Sequence, residues 1–271
     1  MKIELFFNRS VDQNASLYYE RAKKAKGKLE GISKAISDAE RRLDKEMERQ
    51  AKDIEREEKK KKISRKKEWY EKFRWFFTSE GKLVIGGRDS TTNETIIKRH
   101  TEKGDLVFHT DMAGSPFVVI KSAGHAISDD EKNEAANFLA CFSKAWKAGI
   151  SSVEVFYVEP HQVTKEAQSG EYLAKGSFMI RGKTRYINAT LRLGITVLDD
   201  IVYSGPHSAL RAKIKEKYPD MEQKDVEKQI VTVVQGSEKT SKVAKAIKKE
   251  LGGDLDEIIS ALPPGGSRIS R

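Results

Sequence analysis

Thiol chemistry has almost no material in this chain, which holds one cysteine, Cys141, among 271 residues. A lone cysteine excludes an internal disulfide framework and any thiolate zinc cluster built within the chain. Cys141 falls inside a segment that reads as helix, with no base beside it, so a packed thiol is expected rather than a nucleophile. Long apolar runs are also missing. No stretch approaches the ~18 residues of a membrane span, and MKIELFFNRS has too short an apolar run, with the wrong flank, for a signal peptide. The expectation is a soluble chain in a reducing cytoplasm. The usual catalytic signatures are absent as well: no G-x-S-x-G, G-x-x-x-x-G-K-[ST], G-x-G-x-x-G or H-E-x-x-H occurs. His100, His109, His125, His161 and His207 stand without metal-ligand spacing, so neither metal, cofactor nor enzymatic activity is expected.

What is present in excess is positive charge, with 51 Lys and Arg against 41 Asp and Glu and a formal net charge of +10. The isoelectric point is near 9.4 and the mean hydropathy is −0.62, more polar than a plain globular enzyme. The charge is patterned. Residues 59–74 hold nine Lys/Arg and two Glu, whereas 75–206 hold fifteen Lys/Arg and sixteen Asp/Glu. The basic run, with Lys61, Lys62, Arg65, Lys66 and Lys67 at its centre, is interleaved with Trp69, Tyr70, Phe73, Trp75, Phe76 and Phe77. Cations beside flat rings suit attraction to phosphates with groups for base stacking or packing. A solvated helix end running into a core strand is the alternative for the same pattern.

From Ala15 the apolar or small residues Tyr18, Ala22, Ala25, Leu29, Ile32, Ile36, Ala39 and Leu43 follow a 3-4-3-4 spacing, a heptad seam. It continues with a stutter through Met47, Ala51 and Ile54 to about Lys62. Some fifty residues of helix reach roughly 75 Å at a rise of ~1.5 Å, so a projecting arm is predicted. Its many alanines, with Gly27 and Gly31, make a weak seam that needs a close-packed partner helix from another chain, another segment or a second copy. Residues 3–7 read as a short strand before it, with Ser10 or Asp12 as the cap.

Beyond the basic run, strands are predicted at 75–78, 83–85, 106–110, 117–121, 153–158, 177–180, 195–198 and 230–234. Helices are predicted from a Thr91/Glu94 capping box, from a Ser128/Glu131 capping box, and over 207–218 and 238–251, with a last turn at 255–262. The expected fold class is α/β or α+β, a mixed β-sheet with packed helices.

Polar residues gather at the ends of these elements. Arg88, Asp89, Asn93, Glu94 and Lys98 surround the first short helix, followed by His109, Asp111, Ser115 and Lys121. In a strand, His109 and Asp111 share a face, and Gly114 in the following loop leaves room for backbone N–H groups to approach a phosphate. Glu94 and Lys98 also read as an ordinary i,i+4 pair. Farther on, Lys165, Lys175, Arg181, Lys183 and Arg185 stand among glycines in a stretch with six Lys/Arg and two Glu over 165–192. Glycines permit close backbone approach, and the cations neutralise phosphates; a structural loop with surface cations is the alternative.

Four strings resemble the C-terminal half of NFACT proteins, the family that includes nuclear export mediator factor of animals and RqcH of bacteria. They are NASLYYERAKKAK at 14–26, EWYEKFRWFFTSEGKLVIGGRDSTTNE at 68–94, GDLVFHTDMAGSPFVVIK at 104–121 and VTKEAQSGEYLAKGSFMIRGK at 163–183, while LPPGGSRI resembles the archaeal branch. The resemblance implies a short strand and coiled-coil helix over 1–67, an NFACT-R RNA-binding domain over 68–262 and a flexible tail at 263–271. It implies a module that binds tRNA or rRNA on the large ribosomal subunit carrying peptidyl-tRNA after a stalled ribosome has split. The chain is expected to lack the family's N-terminal domain, where the tail-elongation residues lie, so no such residue is carried over. The motif residues implied are Arg88, Asp89, Asn93, Glu94, Lys98, His109 and Asp111, with Ser169, Gly170, Glu171 and Tyr172, and with Arg181, Gly182 and Lys183. The implied partners are tRNA, rRNA, the large subunit, and an N-terminal-domain chain or a second copy at the coiled coil. Two other expectations stand beside this one: a coiled-coil adaptor that completes a split factor, and a cytosolic enzyme using His109 and Asp111.

Overall fold

The computed structural model describes residues 4–61, 67–166 and 173–270, and the chain divides into two compact units, 1–67 and 68–271.

The first unit is built on α1 (Val11–Lys61). Its start is a reciprocal cap, with Gln13 N donating to Ser10 Oγ at 3.2 Å and Ser10 N donating to Gln13 Oε1 at 3.0 Å. Ser10 is therefore the cap, and Asp12 lies inside the helix. Residues 4–7 are not the strand expected there; Ile3 lies outside the described residues. Among the described residues no strand pairs with them, and two α1 side chains bond the backbone of Glu4 and Phe6 instead. Asn14 accepts from Phe6 N at 2.9 Å and donates to Phe6 O at 3.1 Å, and the Tyr18 hydroxyl donates to Glu4 O at 2.7 Å. Along the seam, Leu29, Ile32, Ile36, Leu43 and Met47 are each more than half exposed. The side chains of Ala51 and Ile54 are outside the described residues.

The second unit opens with a 3-10 turn at Trp69–Lys72 and runs through β1 (Arg74–Phe77), β2 (Leu83–Gly86), α2 (Ser90–Arg99), β3 (Leu106–His109), β4 (Val118–Ile120), α3 (Asp129–Phe142), α4 (Lys144–Ala148) and β5 (Ser152–Val158). It continues with β6 (Val163–Thr164), β7 (Met179–Ile180), β8 (Arg185–Thr190), β9 (Leu193–Leu198), β10 (Ile201–Gly205), α5 (His207–Lys217), α6 (Gln223–Lys228), β11 (Val231–Glu238), α7 (Thr240–Leu251), α8 (Leu255–Ala261) and β12 (Ser267–Ser270). A six-stranded sheet has the order β1-β2-β4-β3-β5-β8, a four-stranded sheet the order β10-β9-β11-β12, and β6 pairs with β7. Every pairing among the described residues is antiparallel, which makes this an α+β fold.

The period-2 alternation of strands explains how the larger sheet is covered on both faces. Val84, Phe108 and Val118 join Phe138, Leu139 and Trp146 of the helical layer, while Ile85, Val107 and Val119 join Phe73, Ile96 and Phe117 on the opposite side. The Ser128/Glu131 box forms as expected, and the fully buried Glu131 carboxylate also accepts from Thr78 Oγ1 and Lys82 Nζ, both at 2.7 Å. This ties the β1–β2 turn to α3. The Thr91/Glu94 box does not form. Asp89 caps α2 instead, accepting from Thr92 N at 2.8 Å, because an aspartate two residues earlier offers an equally good acceptor and Glu94 is engaged elsewhere. The helix expected to run from Ser128 through Trp146 breaks at Ser143, whose hydroxyl caps α4.

At the C-terminus the expected flexible tail is largely ordered. β12 pairs with β11 through Thr232↔Ser270, Val233↔Ile269 and Val234↔Arg268, and Trp146 Nε1 donates to Gly266 O at 3.1 Å. A Cβ on Gly266 would sit 2.2 Å from Gly236 O. The glycines that read as tail composition are what let the last strand approach β11 so closely. β6, β8, β10, β12 and α6 were not among the expected elements.

Candidate nucleic-acid interface

The basic run that first suggested phosphate contact is only partly described. Lys62, Arg65 and Lys66 lie outside the described residues, as does the side chain of Lys61, while Lys67 is exposed. Of the adjoining rings, Phe73 and Phe76 are core residues, and Trp69 is the exposed one, stacked on His100 at 4.6 Å between ring centroids. Ser169, Gly170, Glu171 and Tyr172 also lie outside the described residues.

The residues around α2 do come together, chiefly as a brace. Arg88 donates from Nη2 to Phe73 O at 3.1 Å and from Nη1 to Ser260 O at 3.3 Å. Asp89 is the helix cap, and the Thr92 backbone N–H lowers its pKa below the usual aspartate value. Asn93 Oδ1 accepts from Phe117 N at 3.1 Å, and a Cβ on Gly87 would lie 1.8 Å from that oxygen, so only glycine fits beneath it. Glu94 pairs with Lys98 Nζ at 2.6 Å and Lys165 Nζ at 3.6 Å, and accepts from Gly176 N at 3.3 Å. Lys98 lowers the Glu94 pKa first, with the Gly176 N–H and Lys165 assisting against the effect of burial. Lys165 also stands 4.8 Å over the Phe178 ring. These contacts fasten the start of α2 to β4, α8 and the segment around Gly176.

The second expected group behaves similarly. β3 ends at His109, so Asp111 lies in the following turn, exposed, and does not share a strand face with it. The His109 ring stacks on Phe117 at 4.1 Å, and its Nε2 is 3.2 Å from Ser115 O. Burial lowers its pKa and favours the neutral ring. Ser115 is buried, with its hydroxyl donating to Met112 O at 2.8 Å and meeting Thr110 Oγ1 at 2.7 Å. Gly114 is exposed but has Lys144 beside it, since a Cβ there would meet Lys144 Cε at 2.8 Å. Lys121 Nζ is held 2.5 Å from the buried Asp105 carboxylate and 3.1 Å from His100 O, so its charge is neutralised internally. The Cys141 thiol is fully buried, and burial raises its pKa, the state of an inert packed thiol. Among the described residues no group of three His, Cys, Asp or Glu side chains is placed to hold a metal ion. No described helix is long and apolar enough to cross a membrane.

A group of exposed cations lies at the β7–β8 turn. Gly182 (φ +83°) makes a bend fixed by Gln162 Nε2, which donates to Arg181 O at 2.8 Å and Lys183 O at 3.0 Å. Arg181 and Lys183 point outward, Arg181 passing within 3.4 Å of Glu166. The expected Arg181, Gly182 and Lys183 are thus presented together on one basic turn.

Residues the sequence reading missed continue this surface. On β8 Tyr186, Asn188 and Thr190 are exposed beside Arg185, which the sequence had already grouped with the cations of 165–192, while Ile187 and Ala189 pack inward. That alternation in RYINAT is the signal that would have found the strand. Past β8, Arg192 reaches a cavity of about 630 Å³ that is also lined by His207, Arg211, Lys228 and Thr232. His207 Nε2 lies 2.8 Å from Thr232 Oγ1, and burial, with Arg192 and Arg211, pushes its pKa down to about 4. Arg211 Nε is 2.5 Å from Glu227.

Comparison with known proteins gives the family. Residues 72–182 match the family described as the NFACT protein RNA binding domain. The archaeal Rqc2 homolog aRqcH of Methanocaldococcus jannaschii is 42% identical over 214 residues, 78% of this chain and 30% of that protein. The human ribosome quality control complex subunit NEMF is 38% identical over 191 residues, 68% of this chain and 17% of that protein. The chain therefore spans under a third of the length of either relative. With the domain match and both relatives in agreement, the chain belongs with the NFACT/RqcH-like proteins and carries their RNA-binding domain at residues 72–182.

Proposed function

We propose that this chain is the RNA-binding portion of a cytoplasmic ribosome-associated quality-control factor. In this reading it engages tRNA and ribosomal RNA on the large ribosomal subunit that carries peptidyl-tRNA after a stalled ribosome has split. The observation that carries the reading is the match of 72–182 to an RNA-binding domain in a chain whose relatives include a ribosome quality control complex subunit. The outward cations of the β7–β8 turn and the basic run before β1 supply salt-dependent attraction to phosphates. Structured RNA is recognised largely by shape, 2′-hydroxyls and unstacked bases, so weak sequence preference is expected. The role is binding rather than catalysis, since His109 is held by Phe117 and Ser115 O, and Asp111 stands apart from the strand.

The test is a salt titration of binding to tRNA and to purified large ribosomal subunits, empty and loaded with peptidyl-tRNA. Tight, salt-sensitive binding that prefers loaded subunits is expected; absence of binding to any of them overturns the reading. Replacing Lys61, Lys62, Arg65, Lys66 and Lys67 together should lower affinity and flatten the salt slope.

A second reading rests on a separate observation, the exposed seam of Leu29, Ile32, Ile36, Leu43 and Met47 on α1. Such a stripe requires a partner helix, from an N-terminal-domain chain, a further segment or a second copy, and an adaptor role follows if that partner is a protein other than the ribosome's. Sedimentation of the full chain, alone and with a candidate partner helix, distinguishes self-association from capture.

A further inference from the structure

The free edge of the six-stranded sheet extends beyond the Arg181 and Lys183 turn with further exposed groups. β8 is the terminal strand, and its outer side has no partner strand among the described residues. Between Arg181 and Arg192 the chain carries four cations, Arg181, Lys183, Arg185 and Arg192, and no Asp or Glu. Among the described residues, carboxylates near this edge include Glu154, opposite Asn188 on β5, and Glu166, paired with Arg181. Tyr186 stands at the end of a cross-strand row of rings, 6.0 Å from Phe156, which is itself 5.9 Å from His109. The inner rings of that row are covered, whereas Tyr186 is 50% exposed. At ~3.3 Å per residue, Arg185 to Arg192 extends roughly 20 Å, and Arg192 ends it at the mouth of the His207 cavity. That cavity, about 630 Å³, is within the size range of small-ligand sites, and Lys228 and Arg211 add positive charge that Asp225, Glu227 and Glu250 partly offset.

We infer that the β8 edge is a track for single-stranded RNA, with an unpaired base stacked on Tyr186, phosphates at Arg185 and Arg192, and a nucleotide farther along the same strand at the cavity. A duplex keeps its bases stacked on each other and has none to offer Tyr186, so the track selects single strands. This inference rests on the RNA-binding reading and adds to it the class of RNA and the surface that takes it. Edge cations supply the phosphate attraction, and the ring supplies a sequence-tolerant platform.

The test uses the full chain and fluorescence anisotropy with a fluorescein-labelled oligouridine and a labelled RNA duplex. Tyr186→Leu should weaken oligouridine binding roughly tenfold or more, Tyr186→Phe should retain it, and duplex affinity should not change with either. Arg192→Gln, at an exposed position, should reduce the salt slope for oligouridine by about 0.7, which tests the track even if a Tyr186 variant folds poorly. Oligouridine binding with unchanged affinity and slope in Tyr186→Leu and Arg192→Gln overturns the track and leaves the RNA-binding reading intact. An equal loss for duplex and single strand in Tyr186→Leu also overturns it. Failure of the unmodified chain to bind either RNA overturns both.

Discussion

Replacing Arg181 and Lys183 together by glutamine separates a phosphate-binding turn from a merely structural one. The bend between them depends on backbone carbonyls held by Gln162 and on Gly182, so neither side chain is needed to form it. Arg181 loses one solvent-exposed ion pair, with Glu166, and exposed pairs of this kind contribute little to stability. The thermal midpoint should therefore stay where it is. For single-stranded RNA each phosphate neutralised contributes about 0.7 to the slope of log affinity against log salt, so two contacts contribute about 1.4. Over a fourfold rise in salt that is roughly a sevenfold loss of affinity that the double variant should no longer show. Anisotropy or filter binding with tRNA and with an unstructured oligoribonucleotide, repeated across salt concentrations, measures both slopes. A parallel slope with lower affinity would refute the reasoning, because it would mean that the side chains act without displacing counterions. A lowered midpoint would refute it from the other direction, by showing that the turn is structural.

Other consequences concern the scaffold. Glu131→Gln should destabilise the fold by about 1–3 kcal/mol in urea unfolding, since it removes the closer of two carboxylates from Lys82 and leaves Glu80 at 3.6 Å. Burial acts to raise the Glu131 pKa, and hydrogen bonds from Lys82 and Thr78 more than reverse it; with the folded value depressed, its stabilisation is present above the ordinary carboxylate range and is lost as pH falls through the folded value. His207, with a pKa moved from 6.5 down to about 4, should make stability fall progressively as pH drops from 6.5 toward 4, because the unfolded chain takes up the proton first; His207→Gln should remove that dependence. Gly266→Ala should lower the thermal midpoint, since its Cβ would collide with Gly236 O; an unchanged midpoint would mean that β12 does not dock as described.

Local chemistry was readable wherever a short string sufficed. The heptad spacing from Ala15 to Leu43 identifies α1, and Ser128 with Glu131 identifies the start of α3, because both depend on neighbours within one or two helical turns. The strings around Gly104–Lys121 and Val163–Lys183 were enough to indicate an RNA-binding domain. They did not reveal which polar residues face outward. Asn93, Ser115 and Lys121 look like ligand contacts in the sequence, yet their partners, Phe117 N, Met112 O and Asp105, turn them into bracing. β12 illustrates the same limit, since Pro and Gly at 263–266 read as tail until Gly236 is placed against Gly266.

The sequence by itself determined the charge pattern, the helical arm and the family, because composition, periodicity and motif strings are properties of the chain before it folds. Only the tertiary structure decided which cations remain available for an anion. A lysine beside a buried carboxylate and a lysine on an exposed turn are identical in one dimension, and antiparallel pairing of strands distant in sequence is what neutralises Lys121 while leaving Lys183, Arg185 and Arg192 at the surface.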